Sequence, residues 1–360
     1  MNLEQEGRTP IKIYNRGWQL AAVAMLAVRF VQGWIYWGGA TRRFIYGPQK
    51  LDIHGHWMAY KFQTAMPGAL LGTGQIVAYL LHHFTLLYAG LIIFSGIELI
   101  AGLMLLVGFY TRLAALATIG LSTILMLLFG WQGATCIDEW TMASSNFAMG
   151  IALFLAGSGA YSIDSWRLSR RAGLAQNGIF RWLGGALPLP MSDISFRKLA
   201  FTLLGITVLF VVGTYDYYRG SVVTPFHGGP VSPKKHHWKL GGGKLGPDGS
   251  VTFTAYVNAG TPAEPSNILE ISLISKRNGQ TVETWNSASL IRLPKNSIRN
   301  NFAYQKIHIG KFGIVGPVGA QGTIHLPSAQ KKTALNPGEY DLQMLSVNNN
   351  RWSLPVHLQQ

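Results

Sequence analysis

Residues 96–116 read GIELIAGLMLLVGFYTRLAAL. They carry the end of one long apolar run into the start of the next through a tight link holding Arg112. A bilayer-crossing helix needs about 20 mostly apolar residues. Working outward from this hairpin, five runs qualify: 18–40, 86–109, 113–131, 146–163 and 199–217. A sixth stretch, MPGALLGTGQIVAYLL at 66–81, is shorter and Gly-rich, and reads as an interfacial or re-entrant helix in an outer loop. Composition agrees with a membrane protein that carries a soluble part. Hydrophobic residues make up 48% of the 360 positions and charged ones only 12%, about half the usual share.

Positive charge in short loops sets orientation. Arg8, Lys12 and Arg16 precede the first run, Arg112 sits in the tight link, and 164–198 carries Arg167, Arg170, Arg171, Arg181, Arg197 and Lys198. With five spans, all of these fall on one side, which is then cytoplasmic. The chain is expected to lie in the plasma (inner) membrane as a multi-pass protein, with its N-terminus cytoplasmic and its C-terminal part periplasmic or extracytoplasmic. Arg42, Arg43, Lys50 and Lys61 in the outer 41–85 loop run against the rule. A cleaved signal peptide is not expected, because the first run is long, contains Arg29 and lacks a small-residue cleavage site.

Beyond residue 220 the period changes from helical to alternating. Val251, Phe253, Ala255 and Val257 alternate with polar neighbours, as do Leu269, Ile271 and Leu273, and Tyr340, Leu342 and Met344. Further strands are expected near 281–286, 304–309, 322–326 and 352–357, separated by GPDG, PKNS, NPGE and VNNN. About seven short strands at this spacing read as an immunoglobulin-like β-sandwich. The expected fold is a membrane α-helical bundle of four helices (1–198), a fifth span and linker (199–220), and an extracytoplasmic all-β sandwich (221–360). The last part holds 14 Lys or Arg against 6 Asp or Glu, so it contributes +8 of the net +15. Such a basic domain attracts anionic headgroups or small anionic substrates. No nucleic-acid-binding motif is visible, and nucleic acid is not expected on the outer face.

Two ionisable residues stand inside the runs. A charge at the bilayer centre costs roughly 2.5–3.5 kcal/mol on insertion scales, so such groups pair or line a cavity. Arg29 shares a helical face with Gln32, Gly33 and Tyr36, and Glu98 shares one with Ser95 and Gly102. The two polar faces are expected to meet, with Arg29 pairing Glu98. Either the pair only locks the bundle, or Glu98 relays protons beside a quinone headgroup. Trp34, Trp37, Trp57, Trp131 and Trp140 all fall near the outer boundary. They read as an aromatic belt, or as side chains that sandwich a quinone ring.

The chain has one cysteine, Cys136, in GWQGATCIDEW at 130–140, followed by Asp138 and Glu139. It cannot form a disulfide within its chain. On an oxidising face its thiol suits redox or sulfur-transfer chemistry, or it is simply a small buried hydrophobe. The scattered histidines make no metal set, and no flavin, haem or nucleotide fingerprint occurs.

Three segments carry a resemblance. The stretch at 96–116 resembles the second-span region of the DoxX/DoxD membrane family. The segment around 130–164 resembles the DoxD end of that family, and 289–326 resembles DoxA, including a Pro-x-Gly-Ala turn at Pro317, Val318, Gly319 and Ala320. The chain is thus similar to a DoxD–DoxA fusion, whereas the family is usually found as two subunits. The resemblance implies a thiosulfate:quinone oxidoreductase that oxidises thiosulfate to tetrathionate, with membrane quinone as electron acceptor; the residues themselves carry no metal, haem or flavin motif. The partners are then thiosulfate, quinone and the bilayer, with homo-oligomerisation left open.

The resemblance assigns no catalytic residues, so the site follows from chemistry. Thiosulfate is a dianion and needs cations; Arg42 and Arg43, with His56 and Lys61, are the outer-loop candidates. Cys136 is the candidate sulfur carrier, Asp138, Glu139 and Glu98 the candidate proton-handling acids, and Arg29, Trp34, Trp37, Trp131 and Trp140 the candidate quinone contacts. The competing reading is a non-catalytic assembly or anion-translocating protein with an external binding module.

Overall fold

The computed structural model describes residues 9–46, 57–132, 139–220, 235–328 and 335–358. In chain order its helices are α1 (Thr9–Ala24), α2 (Leu26–Thr41), α3 (Trp57–Ala65), α4 (Thr73–His82), α5 (Phe84–Val107), α6 (Thr111–Phe129), α7 (Glu139–Ala156), α8 (Ile163–Arg170), α9 (Gly178–Leu183) and α10 (Asp193–Arg219). The strands that follow are β1 (His237–Leu245), β2 (Val251–Ala259), β3 (Ser266–Ser275) and β4 (Thr281–Trp285), then a short helix α11 (Ser287–Leu290). Next come β5 (Ile298–Asn300), β6 (His308–Ile309), β7 (Ile314–Gly316), β8 (Gln321–Leu326), β9 (Gly338–Ser346) and β10 (Arg351–Leu358). These elements form two compact units that do not follow the linear division at residue 220: among the described residues, 57–84 and 127–132 group with the strands.

In the helical unit, α5, α6 and α10 are long and apolar enough to cross a membrane, and α1 with α2 adds a fourth crossing if that pair, bent by 40° at Met25, is one span. The fourth expected run, 146–163, is displaced. Its helix α7 starts at Glu139 and ends at Ala156, and it is not among the helices that meet the length and hydropathy of a span. The reason is Gly157, which adopts φ +71° and donates its N–H to Leu153 O at 2.8 Å, a left-handed helix stop that glycine accepts at little cost.

Small residues set the helix spacing. A Cβ at Gly102 would lie 2.8 Å from Gly33 O, and one at Gly33 would lie 3.0 Å from Gly102 O, so α2 and α5 cross where neither has a side chain. A Cβ at Gly150 of α7 would likewise lie 3.1 Å from Thr118 Oγ1 of α6. Ala101, Leu105, Ala114, Ala115 and Leu153 form the apolar centre. At one end of the bundle, Asp164 accepts the N–H groups of Tyr110 (3.0 Å), Thr111 (3.4 Å) and Gly185 (2.9 Å). A carboxylate at the start of α6 satisfies donors that the helix leaves open. Arg112 is fully buried and does the converse, donating to Phe154 O, Gly184 O and Leu187 O at 2.8–2.9 Å. Helix α10 touches α7 through Phe147 and Phe210, stacked at 4.2 Å. Its apolar window is otherwise unburied, with Phe201 72% and Leu209 75% exposed, the surface expected of a lipid-facing helix.

The second unit is built on two antiparallel sheets, of order β1-β2-β8-β5 and β10-β9-β3-β7-β6, with β4 also on β3. The expected alternation is clear in β2, where Val251, Phe253, Ala255 and Val257 are buried. Among the described residues there are ten strands where about seven were expected. The sequence reading missed β1, because HWKLGGGKL puts three glycines where a strand normally carries side chains. Of 304–309 only the last two residues are strand. The 66–81 stretch forms a 3-10 turn, Met66–Gly68, and the ten-residue α4. At about 15 Å, α4 is too short to cross a membrane. This stretch packs beside Trp131, which is 2% exposed and donates Nε1–H to Ala65 O at 2.8 Å.

Helix α3 meets the strand-bearing part chiefly through Gln63, with Thr64 and Tyr60 adding contacts to Gln305 and Tyr304. Gln63 is fully buried; its Nε2 donates to Gln305 O (2.8 Å) and Gly319 O (2.9 Å), and its Oε1 accepts from Gln305 N (2.9 Å). Gln305 returns a bond from Nε2 to Thr64 Oγ1 at 3.1 Å. Gly319, in the Pro317–Ala320 turn, has φ +87°, and a Cβ there would run into the backbone at Gln63.

Candidate functional site

The Gly33–Gly102 crossing fixes the axial register of α2 against α5, and that register decides which charges meet. Glu98 lies one turn from Gly102, opposite the end of α2. There the chain widens into a π-helical turn, Arg42–Tyr46. Arg43 of this turn, seven residues from Tyr36 and so on the same face, forms an ion pair with Glu98 and donates from Nη1 to Ser95 Oγ at 3.2 Å and from Nε to Gly39 O at 3.3 Å. The side chains keep 19% (Arg43) and 11% (Glu98) of their exposure. On the same face of α2, the Tyr36 hydroxyl lies 2.9 Å from Ser122 Oγ and 3.2 Å from Thr118 O of α6. One turn further, Gln32 donates to Asn146 O at 2.7 Å. The buried Gln32 Oε1 and Asn146 Oδ1 have no hydrogen-bond partner among the described residues. The unit therefore holds a line of polar groups from α2, α5, α6 and α7 inside an otherwise apolar bundle.

The expected Arg29–Glu98 pair does not form. The polar faces of α2 and α5 do meet, but Arg29 sits about 20 Å along the helix from Arg43, at the Gly108 end. Its guanidinium donates to Ser158 O (2.9 Å) and Tyr161 O (2.8 Å), carbonyls left open after α7 stops. It holds the loop after α7 there. Arg43, expected to bind substrate, is committed to Glu98. Arg42 is exposed. Lys61 stands 5.5 Å from the Phe129 ring, in the other unit.

The tryptophans separate too. Trp34 is 53% exposed, with Phe30 at 6.0 Å and Trp37 at 5.1 Å, so these three rings make an aromatic ledge along α2. Trp140 donates Nε1–H to Thr214 Oγ1 at 2.8 Å and packs on Tyr215 at 5.1 Å, tying α7 to α10. Trp131 is packed over Gly68 and is 2% exposed. Glu139 begins α7, where a carboxylate suits the helix N-terminus. Cys136, Asp138 and His56 lie outside the described residues. Sequence reasoning missed Ser122, Asn146 and Gln63. A hydroxyl or amide inside an apolar run was the available signal for the first two; Gln63 gave none.

The family comparisons extend this picture across both units. Residues 24–191 match the family model described as TQO small subunit DoxD, and residues 218–354 match the one described as TQO small subunit DoxA. TQO denotes thiosulfate:quinone oxidoreductase. A helical part with membrane-crossing helices precedes a two-sheet β part, in the order of the two matches. The chain is a multi-pass membrane protein and belongs to both of these thiosulfate:quinone oxidoreductase families, as a DoxD–DoxA fusion.

Proposed function

We propose that this chain oxidises thiosulfate to tetrathionate at the outer face of the plasma membrane and reduces membrane quinone, the β part lying outside and the N-terminus in the cytoplasm. The observation that carries the reading is the Glu98–Arg43–Ser95 cluster on the buried face of α5, in a chain matching both families. Two thiosulfates, one quinone and two protons give one tetrathionate and one quinol. The quinone end of that balance consumes protons within the bilayer, where only a placed acid can deliver them. Glu98 is that acid. Arg43 holds its carboxylate, and Ser95 orients the guanidinium. Trp34 and Trp37, open to lipid on α2, offer flat apolar faces to a quinone ring, with Trp140 a further aromatic at the α7–α10 contact.

At the sulfur end, Cys136 accounts for the electrons without a metal or flavin. Its thiolate and one thiosulfate lose two electrons to quinone, forming a Cys–S–S–sulfonate, and two protons complete the quinol. Sulfur of a second thiosulfate then attacks the S–S bond, releases tetrathionate and restores the thiolate. Arg42, His56 and Lys61 supply positive charge for the dianions, and Asp138 and Glu139 move protons near the thiol. Purified chain mixed with thiosulfate and a short-tailed quinone should produce quinol and tetrathionate in equal amounts. Absence of thiosulfate-dependent quinol formation would reject the proposal.

A further inference from the structure

Between Glu283 and Glu339 the chain carries no Asp or Glu, yet it holds Arg292, Lys295, Arg299, Lys306, Lys311, Lys331 and Lys332. The segment 53–97 is equally free of carboxylates. The β-bearing unit brings one piece of each together. Strand β5 is the edge of the four-stranded sheet, and its Arg299 stands opposite Thr323 of β8. Helix α4 ends at His82, whose ring lies 4.9 Å from that of Phe302. Phe302 is itself anchored, at 6% exposure. Between them opens a cleft of about 420 Å³ lined by His82, Arg299, Asn300, Asn301 and Thr323.

The loop that forms the cleft is held by Asn300, whose Nδ2 donates to Ile307 O at 2.9 Å while its Oδ1 accepts from Ile307 N at 2.7 Å. The other polar groups are uncommitted. Among the described residues, the Arg299 guanidinium, the Asn301 amide and the Thr323 hydroxyl make no side-chain hydrogen bond or ion pair, and the His82 ring makes none beyond its aromatic contact. All four can donate, one carries a fixed positive charge, and no carboxylate lines the cleft. This is the donor set that a small tetrahedral oxyanion selects: a guanidinium fork for two oxygens, with neutral donors for the rest.

We infer that this cleft binds the sulfur oxyanion substrate of the chain, thiosulfate, which has a sulfonate face for Arg299 and a terminal sulfur left outward. The inference rests on the thiosulfate-oxidising reading above and gives that reading a docking site away from Arg43, which Glu98 occupies. At about 30 Å³ of liquid volume per water, the cleft also accommodates part of the anion's hydration shell, which suits a site of capture and release.

The test uses the full chain in a neutral detergent and measures radiolabelled thiosulfate by equilibrium dialysis. Arg299→Gln should weaken binding at least about tenfold, the usual loss for a charge-assisted hydrogen bond. Asn301→Asp, which places a carboxylate in the cleft, should do the same, and Arg299→Lys should recover part of the loss. The KM for thiosulfate should rise in step. Unchanged dissociation constants in both Arg299→Gln and Asn301→Asp would overturn the assignment. So would displacement of thiosulfate by phosphatidylglycerol vesicles and not by phosphatidylcholine vesicles, which would make the cleft a lipid-headgroup site. Arg299-dependent binding without quinone reduction would keep the cleft and reject the redox function. Quinone reduction with an unaltered KM in the variants would keep the redox function and reject the cleft.

Discussion

Replacing Glu98 by Gln separates a proton-delivering acid from a structural ion pair. The two side chains have nearly the same shape, so the change removes a charge and little else. Two unit charges about 4 Å apart attract by about 4 kcal/mol at an effective dielectric of 20. Arg43 keeps its bonds to Ser95 Oγ and Gly39 O, and the Gln carbonyl oxygen can still accept one bond. The net structural loss should therefore be smaller, about 2–3 kcal/mol, near the insertion cost of one unpaired charge. That loss appears as lower yield of folded protein or a lower midpoint in a thermal scan. A lost general acid acts differently, lowering turnover by about 10²–10⁴ per folded molecule. The assay is thiosulfate-dependent quinol formation normalised to monodisperse protein by size-exclusion chromatography, with Glu98→Asp as the variant that retains an acid. Glu98→Gln at wild-type turnover per folded molecule, with only its yield reduced, would refute the role assigned to Glu98.

Gln63→Leu should leave Gln305 N, Gln305 O and Gly319 O without their buried partner. At about 1–3 kcal/mol for each orphaned group, hydrogen exchange at the Gln305 amide should accelerate by several powers of ten, and unchanged protection would disprove the clamp. Gly102→Leu should force α2 and α5 apart and lower the thermal midpoint, because overpacking costs about 1–3 kcal/mol or more; a midpoint equal to wild type would show that the crossing is not tight. Cys136→Ser should abolish tetrathionate formation while leaving folding intact. Wild-type rates in that variant would mean that two thiosulfates couple without a covalent carrier.

Much of the architecture is legible in the residues. Apolar runs of span length gave the long helices, and the change of period beyond 220 gave the sheets, because burial imposes those periods directly. The pairing of charges was not legible. Helical periodicity tells which face a residue occupies but not how far two helices slide past each other. Arg29 and Glu98 share compatible faces yet sit at different depths. The register was encoded in Gly33 and Gly102, two residues with no side chain to notice. Arg43 shares the Tyr36 face at i+7, but it lies past the apolar run and reads as a loop charge. The anion cleft was half visible as a carboxylate-free segment; what the sequence lacked was the pairing of β5 with β8 and the end of α4 nearby.

The Gln63 clamp has an asymmetric effect on how this chain can change over time. Every bond it makes to the DoxA-matched region falls on main-chain atoms, the N–H and C=O of Gln305 and the C=O of Gly319. Main-chain atoms survive almost any substitution. The DoxA side can therefore drift in sequence at position 305 without breaking these bonds, whereas the DoxD side depends on one amide side chain. The exception is Gly319, where a left-handed backbone and the nearby Gln63 carbonyl exclude any side chain. Aligned relatives should then show a fixed Gln at 63 and a fixed Gly at 319 without compensating pairs between them, an association carried by invariance instead of by covariation.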